Sequence, residues 1–187
     1  MEESVQLRAL QRSDIDQILV WGADVPFCAA NGWTLNLPEE KLRQHWTSII
    51  TDSRADFIRY GIVHQNPLVV YADLADIDCD EGRAELGYAI GDSSLWGRGL
   101  GFFGAALMLK VAFERLKLKR VTASVSVTNA RSKRVLEKLK FTFEGIQEEE
   151  TESGVREVMC LHQLLLEDFR DPTAKSENFQ RVPIFSN

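Results

Sequence analysis

Cysteine and histidine are scarce in this chain of 187 residues, and its 22 Lys and Arg are outnumbered by 28 Asp and Glu. The three cysteines are an odd number at wide spacings, so the sequence predicts neither a disulfide framework nor a paired-cysteine metal clamp. The three histidines are scattered without metal-ligand spacing, so no metal is expected. The formal net charge of −6 argues against a nucleic-acid partner and is more compatible with a cationic or neutral one.

Long apolar runs are missing as well. No stretch approaches the roughly 18 apolar residues that a membrane-spanning helix needs. The start of the chain, MEESVQLRAL, lacks the basic region and apolar run of a secretory signal. Together with the cysteine pattern, these absences predict a cytoplasmic protein with no membrane partner.

The chain does have the composition of an ordinary globular enzyme. Hydrophobic residues make up 44% and charged residues 27% of the sequence. This length suits one domain that buries a single core, and no repeat or low-complexity linker divides the chain. We therefore expect one domain over residues 1–170 and an irregular tail over residues 171–187.

The spacing of apolar residues predicts the order of strands and helices. A strand and a helix are followed by a loop with Phe27 and Trp33, and by a second helix that begins at Pro38. Three strands, a helix, a strand, a short helix and a closing hairpin around Ser153 and Gly154 complete the chain. The order β-α-α-β-β-β-α-β-α-β-β predicts an α/β (α+β) fold, with a mixed, mostly antiparallel sheet flanked by helices.

The stretch ELGYAIGDSSLWGRGLGFFGAAL contains G-x-G-x-x-G at Gly99, Gly101 and Gly104, a dinucleotide-binding pattern. A dinucleotide fold needs a strand running straight into the glycines and an acidic residue ending the next strand, and both are missing. A P-loop is excluded because alanines follow Gly104 where Lys and Ser or Thr are required. Two interpretations remain: a helix N-terminus that binds an anion such as a pyrophosphate, or tight packing of the helix on the sheet.

Two motifs in the right order resemble a known family. Residues 96–101 read WGRGLG and residues 129–141 read NARSKRVLEKLKF. They resemble the acyl-CoA loop Q/R-x-x-G-x-G/A and the block N-x-x-S-x-x-V-L-E-K-L-G-F of the GCN5-related N-acetyltransferases (GNAT), in particular the RimJ/RimL-like ribosomal-protein alanine/serine acetyltransferase branch. Trp96 replaces the usual Gln or Arg, as in that branch, and Lys140 replaces the usual glycine.

The resemblance implies a GNAT fold with acetyl-CoA as co-substrate and no metal. The backbone of Tyr88, Ala89 and Ile90 is expected to hydrogen-bond the pantetheine arm and help hold the thioester carbonyl. The pyrophosphate is expected to lie on the glycine loop and the first helical turn, formed by Gly97, Arg98, Gly99, Leu100, Gly101 and Phe102. Asn129 is expected to contact the cofactor, although it could equally be a simple helix N-cap.

Two side chains are candidate catalytic residues. Glu85 is the candidate base because strand alternation puts it on one face with Gly87 and Ala89, next to the cofactor path, and a surface glutamate is the alternative. Ser132 stands at the family position from which a hydroxyl can hydrogen-bond the departing sulfur, where other branches carry a Tyr at the place of Leu136. Ser132 could equally be a small residue that packs the helix.

The sequence thus predicts an acyl-CoA-dependent acetyltransferase that acetylates a primary amine by direct attack. The acceptor is either a protein N-terminal α-amine or a small amine, such as a polyamine or an amine antibiotic. An acidic run near the end of the chain, residues 148–152, either faces this acceptor or is a solvated hairpin tip. A non-catalytic acyl-CoA-binding or sensing module and an interaction protein are the alternatives, and a homodimer is left open.

Overall fold

The computed structural model describes residues 5–52, 54–64, 67–150 and 156–173. The strands found there are β1 (Val5–Ala9), β2 (Ile58–His64), β3 (Leu68–Asp78), β4 (Arg83–Ile90), β5 (Arg120–Ser126), β6 (Thr142–Glu150) and β7 (Arg156–Leu165). They form one sheet in the order β1-β2-β3-β4-β5-β7-β6, in which every neighbouring pair is antiparallel except β4 and β5. The predicted fold class, a mixed and mostly antiparallel sheet flanked by helices, is confirmed.

Five α-helices occur in the described ranges. They are α1 (Ile15–Trp21), α2 (Val25–Asn31), α3 (Glu39–Thr51), α4 (Leu100–Lys110) and α5 (Ala130–Lys138). The helix predicted after the three strands is α4, which continues directly into one π-helical turn, Val111–Arg115. The hairpin turn expected around Ser153 and Gly154 lies outside the described residues, as does the tail beyond residue 173.

The helix α2 occupies a segment that the sequence analysis treats as a loop, and that part of the prediction is wrong. The Asp24 carboxylate caps α2 by accepting a hydrogen bond from the Phe27 N–H at 2.9 Å. Pro26 lies in the first turn, where its missing N–H costs no helical bond, and Gly32 ends the helix with a φ of 66°. The predicted order therefore gains one helix before β2.

Each face of the sheet is covered by its own core. On one face, α4 and α5 pack on the central strands through residues such as Met108 and Val70, both fully buried. On the other face, α1, α2 and α3 cover an aromatic cluster that includes Trp21, Trp46 and Tyr71. Because successive side chains of a strand point to opposite faces, β4 contributes to both cores.

The strands β4 and β5 separate after a short contact. Residues 83–85 of β4 pair with residues 120–122 of β5, whereas β4 stays paired with β3 as far as Ile90. Among the residues that the structure describes, the β4 edge from 86 to 90 therefore faces a gap instead of a strand. Unpaired backbone groups along such an edge can bind an extended ligand.

The turn from α5 into β6 keeps the shape expected of a glycine, although Lys140 stands there. Lys140 has a left-handed φ of 69°, which costs a side-chain-bearing residue about 1–2 kcal/mol. The Lys140 N–H bonds the Glu137 carbonyl at 3.1 Å and the Phe141 N–H bonds the Leu136 carbonyl at 3.0 Å. These two hydrogen bonds hold the turn.

Candidate functional site

The glycine loop before α4 leads into open space. Gly97 and Gly99 have φ angles of 81° and 87°, which residues with side chains rarely adopt. A side chain starting at Gly97 would meet nothing within 4 Å. The first hydrogen bond of α4 runs from the Phe103 N–H to the Gly99 carbonyl at 3.1 Å, so the N–H groups before it have no helical partner. These N–H groups and the helix dipole favour an anion.

The next two glycines of the motif serve packing. A Cβ atom on Gly101 would lie 3.1 Å from Tyr88 Cε2 and 3.3 Å from Ile90 Cδ1. A Cβ atom on Gly104 would lie 3.2 Å from Val70 Cγ1. Tight packing of α4 on the sheet therefore accounts for these two glycines, and backbone conformation accounts for the preceding two.

A cleft of about 280 Å³ lies between the glycine loop, β4, α5 and the end of α2, where Ala30 and Asn31 line it. Most of the predicted site residues line it, namely Tyr88, Ala89, Ile90, Gly97, Gly99, Gly101, Phe102, Asn129 and Ser132. Three others do not: Arg98 is exposed, the Leu100 side chain is buried in the core, and Glu85 lies on the other face of β4. That these residues bind a cofactor stays a prediction.

Trp96 joins the glycine loop to the cleft. Its indole N–H donates a hydrogen bond to the Ile90 carbonyl at 3.0 Å, and the Arg131 guanidinium lies over its ring at 4.4 Å from the centroid. The Asp24 carboxylate accepts a hydrogen bond from the Ser93 N–H at 2.9 Å, which fastens the same loop to α2. The loop is thus held in place before any ligand arrives.

Three basic side chains of α5 line the cleft, and the sequence analysis missed them. Arg131, Arg134 and Lys138 follow the spacing i, i+3, i+7, which puts them on one face of the helix. A phosphorylated ligand on the glycine loop would lie beside these cations, which can hydrogen-bond its phosphate oxygens. The i, i+3, i+7 spacing of these cations is visible in the sequence. Apolar residues recur at similar intervals in the same helix, so the sequence pattern does not single out the basic face.

Asn129 and Ser132 meet at the start of α5. The Asn129 Oδ1 accepts a hydrogen bond from the Ser132 N–H at 3.1 Å, so Asn129 is the N-cap of α5 and also lines the cleft. The two roles left open for Asn129 are therefore compatible. Ser132 is half-buried and lines the cleft, whereas Leu136 is fully buried in the core and offers no hydroxyl.

Glu85 does not line the cleft, and its side chain points to the face of β4 opposite to Tyr88. It pairs with Thr122 at the last contact between β4 and β5, where the gap begins. Gly87 and Ala89 share its face of β4, as strand alternation predicts, while Tyr88 points the other way toward α4. Glu85 therefore lies where the gap begins, on the face of β4 that α2 covers, while the cleft along the rest of the gap is lined from both faces of β4.

The surroundings of Glu85 favour a proton acceptor. Burial raises the pKa of its carboxyl, and hydrogen bonding from Ser124 lowers it. The negative charges of Glu149 and Asp76 raise the Glu85 pKa further. The resulting pKa lies above the ordinary glutamate value, which makes Glu85 a stronger base than an exposed glutamate.

Within the described part of the acidic run, Glu149 stands on the same side of the sheet as Glu85. The Ser124 hydroxyl donates a hydrogen bond to the Glu149 carboxylate at 3.3 Å. Glu144 of the same strand is engaged elsewhere, because it forms an ion pair with Arg120 at 2.6 Å. Side chains from residue 150 to 155 lie outside the described part of the chain.

Asp73 is a neutralised carboxylate on the Glu85 face. The Arg59 guanidinium contacts it at 2.5 Å and also lies over the Tyr71 ring, 4.7 Å from the centroid. Gly87 faces the Asp73 carboxylate so closely that any side chain there would collide with it.

Metal ligation and membrane spanning find no support in the described residues. No group of three or more His, Cys, Asp or Glu side chains there is placed to hold a metal ion. None of the helices described is long and apolar enough to cross a bilayer.

Comparison with known proteins assigns the family. The profile of the Acetyltransferase (GNAT) domain matches residues 4–142. The chain belongs to the GNAT acetyltransferase family. The resemblance inferred from the glycine loop and the α5 motif is confirmed at this level, and the RimJ/RimL branch stays a prediction.

Individual GNAT proteins are similar to this chain over different extents. The uncharacterized N-acetyltransferase p20 of Bacillus licheniformis is 36% identical over 70 residues, which is 37% of this chain and 39% of that protein. Spermidine N-acetyltransferase from Vibrio cholerae, in complex with CoA and spermine, has a TM-score of 0.75 at 21% identity, covering 88% of this chain and 97% of that one. The acetyltransferase (GNAT family) from Bacillus anthracis has a TM-score of 0.73 at 19% identity, covering 89% and 98%. At these identities the structures share the fold.

Proposed function

We propose that this GNAT domain transfers an acetyl group from acetyl-CoA to a primary amine by direct attack, without a covalent enzyme intermediate. The observation that carries the proposal is the position of Glu85 where the gap between β4 and β5 begins, beside a cleft that follows the rest of the β4 edge. An acyl-CoA in the cleft would present its thioester at the gap. An amine on the Glu85 side would meet it there.

The cleft offers the groups that an acyl-CoA needs. The pyrophosphate would lie at the N–H groups that open α4, beside Arg134 and Lys138. The pantetheine arm would extend along the open edge of β4 from Tyr88 to Ile90, where backbone groups can hydrogen-bond its amides. Arg98 is exposed at the rim and is assigned to the phosphates by the family resemblance alone.

The acetyl group of a thioester is already activated, so the protein must mainly orient the reactants and remove a proton. An α-amine has a reference pKa of about 7.7–8.0 and a lysine-type amine about 10.4, so either arrives largely protonated at neutral pH. We assign the proton transfer to Glu85, directly or through a water. Ser132, on the cleft side, is assigned to the departing sulfur.

The charge of the acceptor side favours a cationic amine. The charges of Glu149 and Asp76 act on Glu85, and within the described residues none of these three carboxylates forms an ion pair like that of Arg59 with Asp73. A basic protein N-terminus, as the RimJ/RimL resemblance implies, and a small polyamine or amine antibiotic would both fit. The spermine complex of the Vibrio cholerae protein supports the polyamine for this fold.

The proposal is tested by adding acetyl-CoA and then a panel of amines. Acetyl-CoA at 100 times its Kd should stabilise the protein by about 2.7 kcal/mol in thermal unfolding. Release of CoA thiol that depends on an added amine then shows turnover. Stabilisation without thiol release from any amine would identify the alternative, a non-catalytic acyl-CoA-binding module.

A negative charge at Gly97 is expected to weaken acetyl-CoA binding about tenfold or more, as measured by titration calorimetry. Gly97 has a left-handed φ of 81° and open space around it, and Asp tolerates this conformation better than most residues. The carboxylate of Gly97→Asp would therefore face the bound phosphates. Added salt should reduce the loss because it screens the repulsion.

The matched control is Gly97→Asn, which has the same shape and the same tolerance of this φ but no charge. Its acetyl-CoA affinity should stay within about threefold of wild type. Equal losses in both variants would indicate a steric effect instead of repulsion. Full affinity in Gly97→Asp would remove the loop from the phosphate site.

A further inference from the structure

The Asp24 carboxylate joins two segments that lie 69 residues apart in the chain. One of its oxygens accepts a hydrogen bond from the Phe27 N–H at 2.9 Å, which caps α2. The other accepts a hydrogen bond from the Ser93 N–H at 2.9 Å, in the loop that leads to Gly97. Among the described residues, no other hydrogen-bonded pair joins residues 24–32 to residues 91–99. Capping uses only one oxygen, so the bond to Ser93 has a role of its own.

The two segments that Asp24 joins are different parts of the proposed reaction site. The last turn of α2 lines the cleft at Asn31, and the buried side of α2 covers the β4 face to which Glu85 points. The loop after β4 runs through Trp96 to Gly97, where the phosphates of an acyl-CoA are assigned. Asp24 therefore connects the helix on the amine side to the loop on the cofactor side.

The Asp24 carboxylate is ionised at neutral pH and can serve both donors. Burial raises its pKa, but hydrogen bonds from Phe27 and Ser93 lower it by more, so the pKa lies below the ordinary aspartate value. An ionised carboxylate offers two acceptor oxygens, whereas the side chain of serine offers one. Serine is nevertheless a good N-cap. The cap and the bond to Ser93 can therefore be separated by substitution.

We propose that Asp24 is a positioning residue that fixes α2 relative to the glycine loop, so that the amine and the thioester are presented to each other at a set separation. This inference rests on the proposed acetyl transfer. Asp24 does not line the cleft, so it acts through the two segments that it joins. A displacement of about 1 Å between reacting groups can reduce the rate about 100-fold. Loss of the bond should therefore reduce turnover more than it reduces acetyl-CoA binding.

Asp24→Ser is the first test, because serine keeps the cap of α2 and is too short to reach Ser93 as well. We expect kcat at saturating amine to fall about 10- to 100-fold. The Kd for acetyl-CoA should stay within about threefold, since the indole of Trp96 still holds the loop to the Ile90 carbonyl. Steady-state thiol release and titration calorimetry measure the two quantities. An unfolding midpoint near that of wild type checks that the cap is kept.

Ser93→Pro removes the same bond from the loop side. Ser93 begins the short 3₁₀ turn Ser93–Leu95, a position where the missing N–H of proline costs no helical bond. Asp92 before it is extended, with a φ of −94° and a ψ of 113°, as the residue before a proline prefers. Ser93→Pro should therefore lower kcat as Asp24→Ser does. The double variant should lose about as much as one single variant, because both substitutions remove one contact.

Asp92→Ser is the matched control. Asp92 caps the same 3₁₀ turn by accepting a hydrogen bond from the Ser94 N–H at 2.8 Å, so its bond stays within the loop and this variant should keep wild-type kcat. Wild-type kcat in folded Asp24→Ser and Ser93→Pro would overturn the inference. So would an equal loss in Asp92→Ser, or weaker acetyl-CoA affinity at unchanged kcat, because either would trace the effect to the loop alone. If the wild-type protein releases no thiol with any amine, the proposed function itself fails, a result distinct from an active wild type with equally active variants.

Discussion

Glu85→Gln is expected to lower kcat about 100- to 10,000-fold, the usual range for removal of a positioned general base, with little change in acetyl-CoA affinity. Glutamine keeps the shape of the side chain and loses its basicity. Glu85 lies outside the lining of the cofactor cleft, so the cofactor loses no contact. Steady-state thiol release and calorimetric titration with acetyl-CoA measure the two quantities separately.

The pH profile gives this prediction a second measurement. Glu85 must be ionised to accept a proton, so wild-type activity falls as the pH drops through the Glu85 pKa. Burial raises that pKa, so the fall should occur at a higher pH than the value of about 4.3 for an ordinary glutamate. In Glu85→Gln this acid limb should disappear. Alkali supplies neutral amine from solution, so the variant should recover part of its rate there, sooner with an α-amine than with a lysine-like amine.

Glu144→Gln is the control for Glu85→Gln. Glu144 forms an ion pair with Arg120 at 2.6 Å, and the loss of that half-exposed pair should leave kcat unchanged. A wild-type kcat and an unaltered acid limb in Glu85→Gln would place the base elsewhere. Glu149 would then be tested next, because its carboxylate accepts a hydrogen bond from Ser124, which also acts on Glu85.

Local patterns predict the strands and long helices of this fold well, and short helices poorly. The alternation around Glu85 predicts which face of β4 it occupies, because side-chain direction in a strand depends only on a period of two. The helix α2 has seven residues, too few to establish a helical period. Its signals are the end residues Asp24 and Gly32, which are legible once the cap rules are applied to the loop.

The glycine motif shows what a sequence pattern leaves undecided. The exclusion of a dinucleotide or nucleoside-triphosphate loop depends on neighbouring residues and needs no structure. The separate roles of the glycines can be assigned only from the structure. Gly99 takes a left-handed φ, whereas Gly101 and Gly104 let α4 contact the sheet. A left-handed φ and close packing of a helix on a sheet both favour glycine, so the sequence alone does not distinguish the two roles.

The functional site around the glycine motif depends on contacts between segments that are far apart in the sequence. The gap beside β4 exists because residues 120–122 of β5 pair with only the first part of β4. The burial of Tyr88 depends on the meeting of β4, α4 and α5, and the pair of Arg59 and Asp73 depends on the register of β2 and β3. No local periodicity reports such contacts, and without an observed register they stay invisible.

Gly91→Ala is expected to destabilise the protein by about 3 kcal/mol, at the upper end of the usual range for overpacking a core. A Cβ atom on Gly91 would overlap the indole ring of Trp21, which is 1% exposed. Trp21 has no room to retreat, since it packs against Phe27 at 6.0 Å and Tyr71 at 6.3 Å between ring centroids. The midpoint of thermal unfolding should fall by about 6–12 °C. Acetyl-CoA affinity should fall too, because Gly91 follows directly on Ile90, the last residue of β4 and part of the cleft lining.

Gly145→Ala is the matched control for this glycine. Gly145 also lies in a strand, has no positive φ, and would place its Cβ atom where nothing lies within 4 Å, so its unfolding midpoint should change little. Trp21→Leu supplies the second comparison, because it removes the ring that a Gly91 side chain meets. If the collision is the cause, Gly91→Ala and Trp21→Leu together should cost less than the sum of the separate losses. Strictly additive losses, or an unchanged midpoint in Gly91→Ala, would show that the contact between β4 and the aromatic core is looser than the packing of Trp21 implies.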